Sequence, residues 1–181
     1  MTLKMALLGI LDLTPMTGYD LKKSIEASVA HFWSADQSQI YRTLAALVTD
    51  GLAEALVIPQ EGRPDRREHH ITPAGRASLA EWLRSPLEPE TPHDTFLMRL
   101  FFVGALGIPA TRAVLDARHS QATALLAGLH SVIEQEQARR EAGHRAEDDL
   151  GHGLRLATLR NGILHAEAEL AWLTETTEAL A

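Results

Sequence analysis

The chain has 181 residues, of which 45% are hydrophobic and 23% charged, with a formal net charge of −7 and no cysteine. This is enough apolar material for one domain or two small ones, and it excludes disulfides and thiolate zinc sites. No apolar run approaches the ~20 residues of a membrane helix, so no membrane partner is expected.

The missing cysteines suit a reducing cytoplasm, and "MALLGILDL" near the start reads as a helix rather than a signal peptide. The acidity is uneven. Residues 1–85 carry nine Lys/Arg and ten Asp/Glu, leaving −1; residues 86–181 carry eight and fourteen, leaving −6. A near-neutral N-terminal half can still gather its cations on one face.

The N-terminal helix "TLKMALLGILDL" is apolar on almost every side, with Leu3, Ala6, Leu7, Ile10 and Leu11 as one stripe and Met5 and Leu8 outside it. Such a helix is buried all round, by a second layer or a partner chain. "TPMTGYDLKKSIEASV" offers Thr17 as N-cap with Asp20 three residues on, then Leu21, Ile25 and Val29 along one face. The third helix, "SADQSQIYRTLAALVTDGL", is capped by Ser34 or Asp36 and stopped by Gly51. Its buried stripe is Ile40, Leu44, Leu47 and Val48. Opposite lie Ser38, Gln39, Arg42, Ala46 and Thr49, a short-limbed outer face.

Two short β-branched runs, "LAEALVIPQ" and "RREHHITP", flank the turn "EGRPD" and predict a hairpin. His69 and His70 point to opposite faces of its second strand. "TPAGRASLAEWL" starts a helix at the Thr72 cap with Pro73 first, and packs through Leu79, Trp82 and Leu83. "SPLEPETPHD", with three prolines, breaks the chain into parts assigned to residues 1–86 and 87–181.

The second part reads as all helix. It has a short apolar helix, "DTFLMRLFFVGAL", and a long one with Leu115, Ala122, Leu125, Leu129 and Val132 in step. The last helix carries Leu156, Leu159, Ile163, Ala166, Leu170 and Leu173 at alternating three- and four-residue spacing. That seam wants another helix, internal or from a second subunit.

Helix, helix, helix, hairpin, helix is the order of a winged helix-turn-helix, whose second turn helix enters the major groove. A groove helix needs small and short polar side chains facing out, plus a long donor for base edges. Ser38, Gln39, Arg42, Ala45 and Ala46 meet that need. Arg63, Arg66 and Arg67 at the hairpin tip can neutralise phosphates or enter a minor groove.

The pieces "GYDLKK", "FWSADQSQIY", "LAALVTDGL", "GRP" and "ITPAGR" together resemble the PadR family of transcriptional regulators over residues 3–84. "FLMRLFF" and "GILHAEAELAWL" resemble the virulence-activator-like C-terminal extension of the longer members. The resemblance implies a mainly α fold with a small β-hairpin: a winged helix-turn-helix followed by an antiparallel helical dimerisation domain. It implies a homodimer on double-stranded operator DNA, repressing a nearby gene and released in some members by a small aromatic or amphipathic effector. Gln39, Tyr41, Arg42 and Thr43 would then face DNA from the groove helix, Lys22 and Lys23 would touch backbone from the preceding helix, and Arg63 and Arg67 would do so from the wing. Tyr41 and Thr43 sit at the edge of the buried stripe, where a structural role fits equally. Leu3 and Leu7, with Leu156, Leu159, Ile163, Leu170 and Leu173, would form the dimer interface. Many members carry proline after the tyrosine of "QIY"; this chain has Arg42, which makes Arg42 the candidate for its own sequence reading.

Other chemistry is thinly supported. His144, Glu147, Asp148, Asp149 and His152 could bind a divalent metal, but their composition equally suits a solvated loop, and no metal or cofactor is expected. His165 and Glu169 read as a helix pair rather than a dyad. With no phosphate loop, nucleophile elbow or His-Glu-x-x-His, no enzyme is expected. Trp33, Phe96, Arg99, His165 and Trp172 could line an effector pocket between the two parts, although singly the rings read as packing and Arg99 as the partner of a carboxylate. The competing reading is a ligand-sensing or protein-interaction module that keeps a winged-helix scaffold with weak DNA affinity.

Overall fold

A computed structural model describes residues 2–29, 32, 33, 36–60, 62, 65–87, 93–141 and 149–180. The elements are α1 (Thr2–Leu13), β1 (Met16–Thr17), α2 (Gly18–Ser28), α3 (Gln37–Thr49), β2 (Ala53–Ile58), β3 (Arg66–Ile71), α4 (Pro73–Arg84), α5 (Thr95–Val103), a 3₁₀ turn (Gly104–Leu106), α6 (Ile108–Glu141) and α7 (Asp149–Glu178). They fall into two compact units, Met1–Pro89 and Glu90–Ala181.

In the first unit α1 is the hub, packing on α2, α3, α4 and β3. Its burial is wider than the single expected stripe. Met5, Leu7, Leu8, Ile10 and Leu11 are all buried, while Leu3 is only partly covered. Leu7 has no exposed surface, so this core rather than a dimer interface takes it. Two ion pairs hold the hub: Lys4 Nζ to Asp50 Oδ2 at 2.8 Å, and Arg76 Nε to Asp12 Oδ1 at 2.8 Å. The sheet is antiparallel in the order β1-β3-β2, with Thr17 opposite Glu68 and Val57 opposite Arg67. Strand β1 is two residues long, too short for any periodicity to announce it.

Caps fix the helix starts as the residue types predict. Thr17 Oγ1 accepts from the Asp20 amide, Asp36 from that of Gln39, and Thr72 from that of Gly75. Ser34 lies outside the described residues. Gly51, at φ +70°, ends α3 in the left-handed region that disfavours a side chain. A Cβ on Gly75 would collide with the Leu52 carbonyl oxygen, so α4 can rest on the β2 approach only through glycine. Leu83, expected to pack, is 67% exposed; it lies next to the helix end, past the core-facing Leu79 and Trp82.

In the second unit α6 and α7 run antiparallel. Leu115 and Ala122 of α6 cluster with Leu173 of α7, and Leu129 clusters with Leu159 and Ile163. Leu156 and Leu170 pack beside them. The predicted seam of the last helix is thus closed within the chain by α6, and Leu159, Ile163 and Leu173 have almost no surface left for a second chain. Leu125, placed in the α6 stripe by spacing, is 40% exposed; it lies at the edge of the face that Ala122, Leu126 and Leu129 turn to α7. Among the described residues no helix is long and apolar enough to cross a membrane.

Candidate nucleic-acid interface

Helix α3 buries Ile40, Leu44 and Leu47 and turns Ser38, Gln39, Arg42, Ala45, Ala46 and Thr49 to the outside. Its first turn is tightly organised. Ser38 Oγ donates to Asp36 Oδ1 at 2.6 Å, and the Gln39 amide donates to the same oxygen at 2.8 Å. These two hydrogen bonds, with the Arg42 charge nearby, hold the Asp36 carboxyl below its ordinary pKa. Arg42 Nε donates to the Ser38 carbonyl at 3.3 Å, and Arg42 makes no ion pair with another described residue. The helix therefore presents one long cation on a ground of short side chains.

Tyr41 and Thr43 flank that face differently. Thr43 is half-buried, and Tyr41 is 40% exposed with its ring edge against Gly18. A Cβ on Gly18 would stand 2.7 Å from Tyr41 Cε1, so a side chain at residue 18 would have to push the Tyr41 ring aside. Nothing in the local sequence signals this contact, which depends on the crossing of two helices.

The cations on α2 and the wing are not equivalent. Lys22 pairs with Glu26 at 3.0 Å. Lys23 lies 4.6 Å above the Tyr19 ring, and hydrogen bonding to the Tyr19 hydroxyl raises its pKa. Arg66 stands 3.7 Å from Asp20 Oδ2 and 3.3 Å from Glu68 Oε2, tying the wing strand to α2. Arg67, its strand neighbour, points to the other face, exposed and without an ion pair to a described residue. Arg63 lies outside the described residues. Strand alternation separates the histidines as expected. His69 is buried, and desolvation, then the Arg67 charge, lower its pKa. His70 Nε2 sits 2.9 Å from Glu68 Oε1, an ion-pair distance without hydrogen-bond alignment.

Of the effector candidates, Phe96 and Trp172 meet edge to face at 6.1 Å. The partners that lock them are Arg118, 5.2 Å over the Phe96 ring, and Glu169, 2.7 Å from Arg118 Nε. Glu169 is thus engaged across the helix pair rather than with His165, because the α6 guanidinium reaches it. Arg99 and His165 are exposed, and Trp33 is half-buried in the other unit. A groove of about 430 Å³ lies toward the opposite end of the α6–α7 pair, against Ile133, Glu136, Leu156 and Arg160. His144, Glu147 and Asp148 fall outside the described residues, as does the side chain of Asp149. His152 is buried in the helix pair rather than placed in a loop. Among the described residues no acidic–histidine cluster could hold a metal.

The chain that carries this short-sided helix is similar to known proteins over nearly its whole length. The model of the transcriptional regulator PadR-like family matches residues 7–81, and that of the virulence activator alpha C-terminal region matches residues 92–181. A probable transcriptional regulator of Mycobacterium tuberculosis is 30% identical, over 99% of this chain and 98% of that protein. The chain belongs to the PadR family of transcriptional regulators. The negative transcriptional regulator PadR of Bacillus subtilis is 29% identical over 94% of this chain and 93% of its own length. Its structure in complex with operator DNA superposes with a TM-score of 0.79 at 25% identity, covering 100% of both chains. Its structure with p-coumaric acid gives 0.69 at 25% identity, covering 98% of this chain and 94% of that one. The PadR family and these relatives are DNA-binding winged-helix regulators of transcription, not enzymes.

Proposed function

We propose that this PadR-family chain is a cytoplasmic, homodimeric repressor that binds an inverted-repeat operator through α3 and the wing. The observation that carries the reading is the outer face of α3, where Arg42 stands unpaired among Ser38, Gln39, Ala45 and Ala46. That face suits close approach to a major groove with one guanidinium for base edges. Arg67 is the described wing cation free for phosphate, while Lys22, Lys23 and Arg66 have partners that a phosphate would have to displace. Residues 1–86 would bind DNA and residues 87–181 would dimerise. Two apolar faces of the second unit favour the second role: Leu97, Met98, Phe101 and Phe102 on α5, and Leu150, Leu154 and Leu164 on α7, all exposed in a single chain. The operator-bound B. subtilis PadR supports the DNA reading, and its p-coumaric acid complex supports release by a small phenolic acid.

Fluorescence anisotropy on the intergenic DNA upstream of the gene, with and without nonspecific competitor, tests the reading. Binding should survive competitor in the wild type, lose sequence preference in Arg42→Ala, and weaken with p-coumaric acid. The acidic balance of the second half favours the competing reading, a sensing or interaction module with weak DNA affinity. Equal binding to every duplex would select it.

A further inference from the structure

The outer face of α3 spends most of its hydrogen-bonding capacity inside the helix. Ser38 Oγ donates to Asp36 Oδ1, and Thr49 Oγ1 donates to the Ala45 carbonyl. Asp36 Oδ1 is taken up as the cap, accepting from Ser38 and from the Gln39 amide. Ala45 and Ala46 bring no polar atom. What remains is the side-chain amide of Gln39 and the two terminal nitrogens of Arg42, which have no partner among the described residues.

Arg42 is already positioned. Its Nε donates to the Ser38 carbonyl at 3.3 Å, which folds the side chain back over the preceding turn. The guanidinium is thereby carried toward the N-terminal end of α3. It lies close enough to Asp36 that its charge adds to the Ser38 and Gln39 hydrogen bonds in lowering that carboxyl's pKa. The N-terminal turn of a recognition helix is the part that meets base edges. Arg42 also stands in the middle of the outer face, about 200° from Ile40, with Ser38, Ala45 and Thr49 to one side and Gln39 and Ala46 to the other. That position faces the floor of a groove rather than the phosphates along its walls.

With Nε engaged on the helix, Nη1 and Nη2 remain as a two-pronged donor. A guanidinium has no acceptor, so a two-pronged contact needs two acceptors side by side. In the major groove guanine alone presents them, as O6 and N7. Adenine sets a donating amino group beside its N7, thymine offers one acceptor beside a methyl group, and cytosine offers a donor. Gln39 both donates and accepts, so it selects less strictly.

We infer that Arg42 reads a guanine, through O6 and N7, in each half-site of the operator. This rests on the operator-binding reading above and names the base that the residue standing in place of the usual proline selects.

Selection of bound duplexes from a randomised library by the full-length protein tests it. The recovered half-sites should share one near-invariant guanine. Replacing it with 7-deazaguanine, which pairs normally but lacks the N7 acceptor, should weaken wild-type binding about tenfold and leave Arg42→Ala binding unchanged. Arg42→Gln should move the preference at that position to adenine, whose N6 and N7 a carboxamide matches. Both variants should keep the wild-type Tm, since the side chain is exposed. A guanine preference that survives in Arg42→Ala or Arg42→Gln would overturn the assignment while leaving operator binding in place. So would a 7-deazaguanine penalty equal in wild type and Arg42→Ala, or biased half-sites with no shared guanine. A library recovered without any sequence bias would overturn the operator-binding reading itself, and this assignment with it.

Discussion

Helices α3 and α7 bury the same kind of face and expose opposite ones. Each covers a leucine-rich row with its own unit: Ile40, Leu44 and Leu47 on α3; Leu159, Ile163 and Leu173 on α7. The outer side of α3 is short, polar and singly cationic. The outer side of α7 carries a second line of exposed leucines and alanines, among them Leu150, Leu154 and Leu164. A buried face says only that a helix belongs to a core, whereas the chemistry left exposed says what it is for. In α7 apolar residues on two opposite sides also blur its amphipathic pattern, so the seam read from spacing is real but already occupied.

The sharpest break of the comparison is on the inner faces, where the two helices should behave alike. Leu47→Ala and Leu173→Ala should each cost about 3 kcal/mol in urea unfolding, since both side chains are fully enclosed. Ile163→Asp should likewise lower stability, not merely separate a dimer. A loss under about 1 kcal/mol at Leu173 would show that α7 is not held by α6.

On the outer face of α3 the expected loss is of recognition. Arg42→Ala should remove roughly ten- to hundredfold of operator discrimination, with an unchanged Tm. A fall in Tm matching that of Leu47→Ala would place Arg42 in the fold instead.

Arg67→Ala should have a smaller effect, weakening cognate and random duplexes alike and lowering the salt slope by about one. A loss confined to the cognate site would reassign Arg67 to base reading.

The smallest effect belongs to neither outer face. His69 is neutral in the fold because desolvation and Arg67 lower its pKa. The unfolded chain therefore binds the proton more tightly than the folded one. Stability should hold above the ordinary histidine range and decline as the pH falls from about 6.5 through the lowered folded value. His69→Leu should flatten that part of the urea midpoint profile. An unchanged profile would exclude His69 as its source.

Much of the first unit was legible from local chemistry. Thr17, Asp36 and Thr72 cap where their side chains can reach an amide three residues on, and Gly51 ends α3 where φ turns positive. The outer face of α3 was also readable, because helical period alone places Arg42 opposite Leu44 and Leu47. Strand β1 was not, since two residues carry no period. The wing arginines looked equivalent until Arg66 was found tied to Asp20, forty-six positions away, leaving Arg67 free.

The sequence by itself determined which residues fall on a common face, since period and capping act within a few residues. It could not determine what covers each face. The α7 seam admitted an internal or an external partner, and the antiparallel return onto α6 selected the internal one. Likewise Glu169 chose Arg118 over the nearer His165, and Gly18 met Tyr41, because such contacts depend on how distant helices cross.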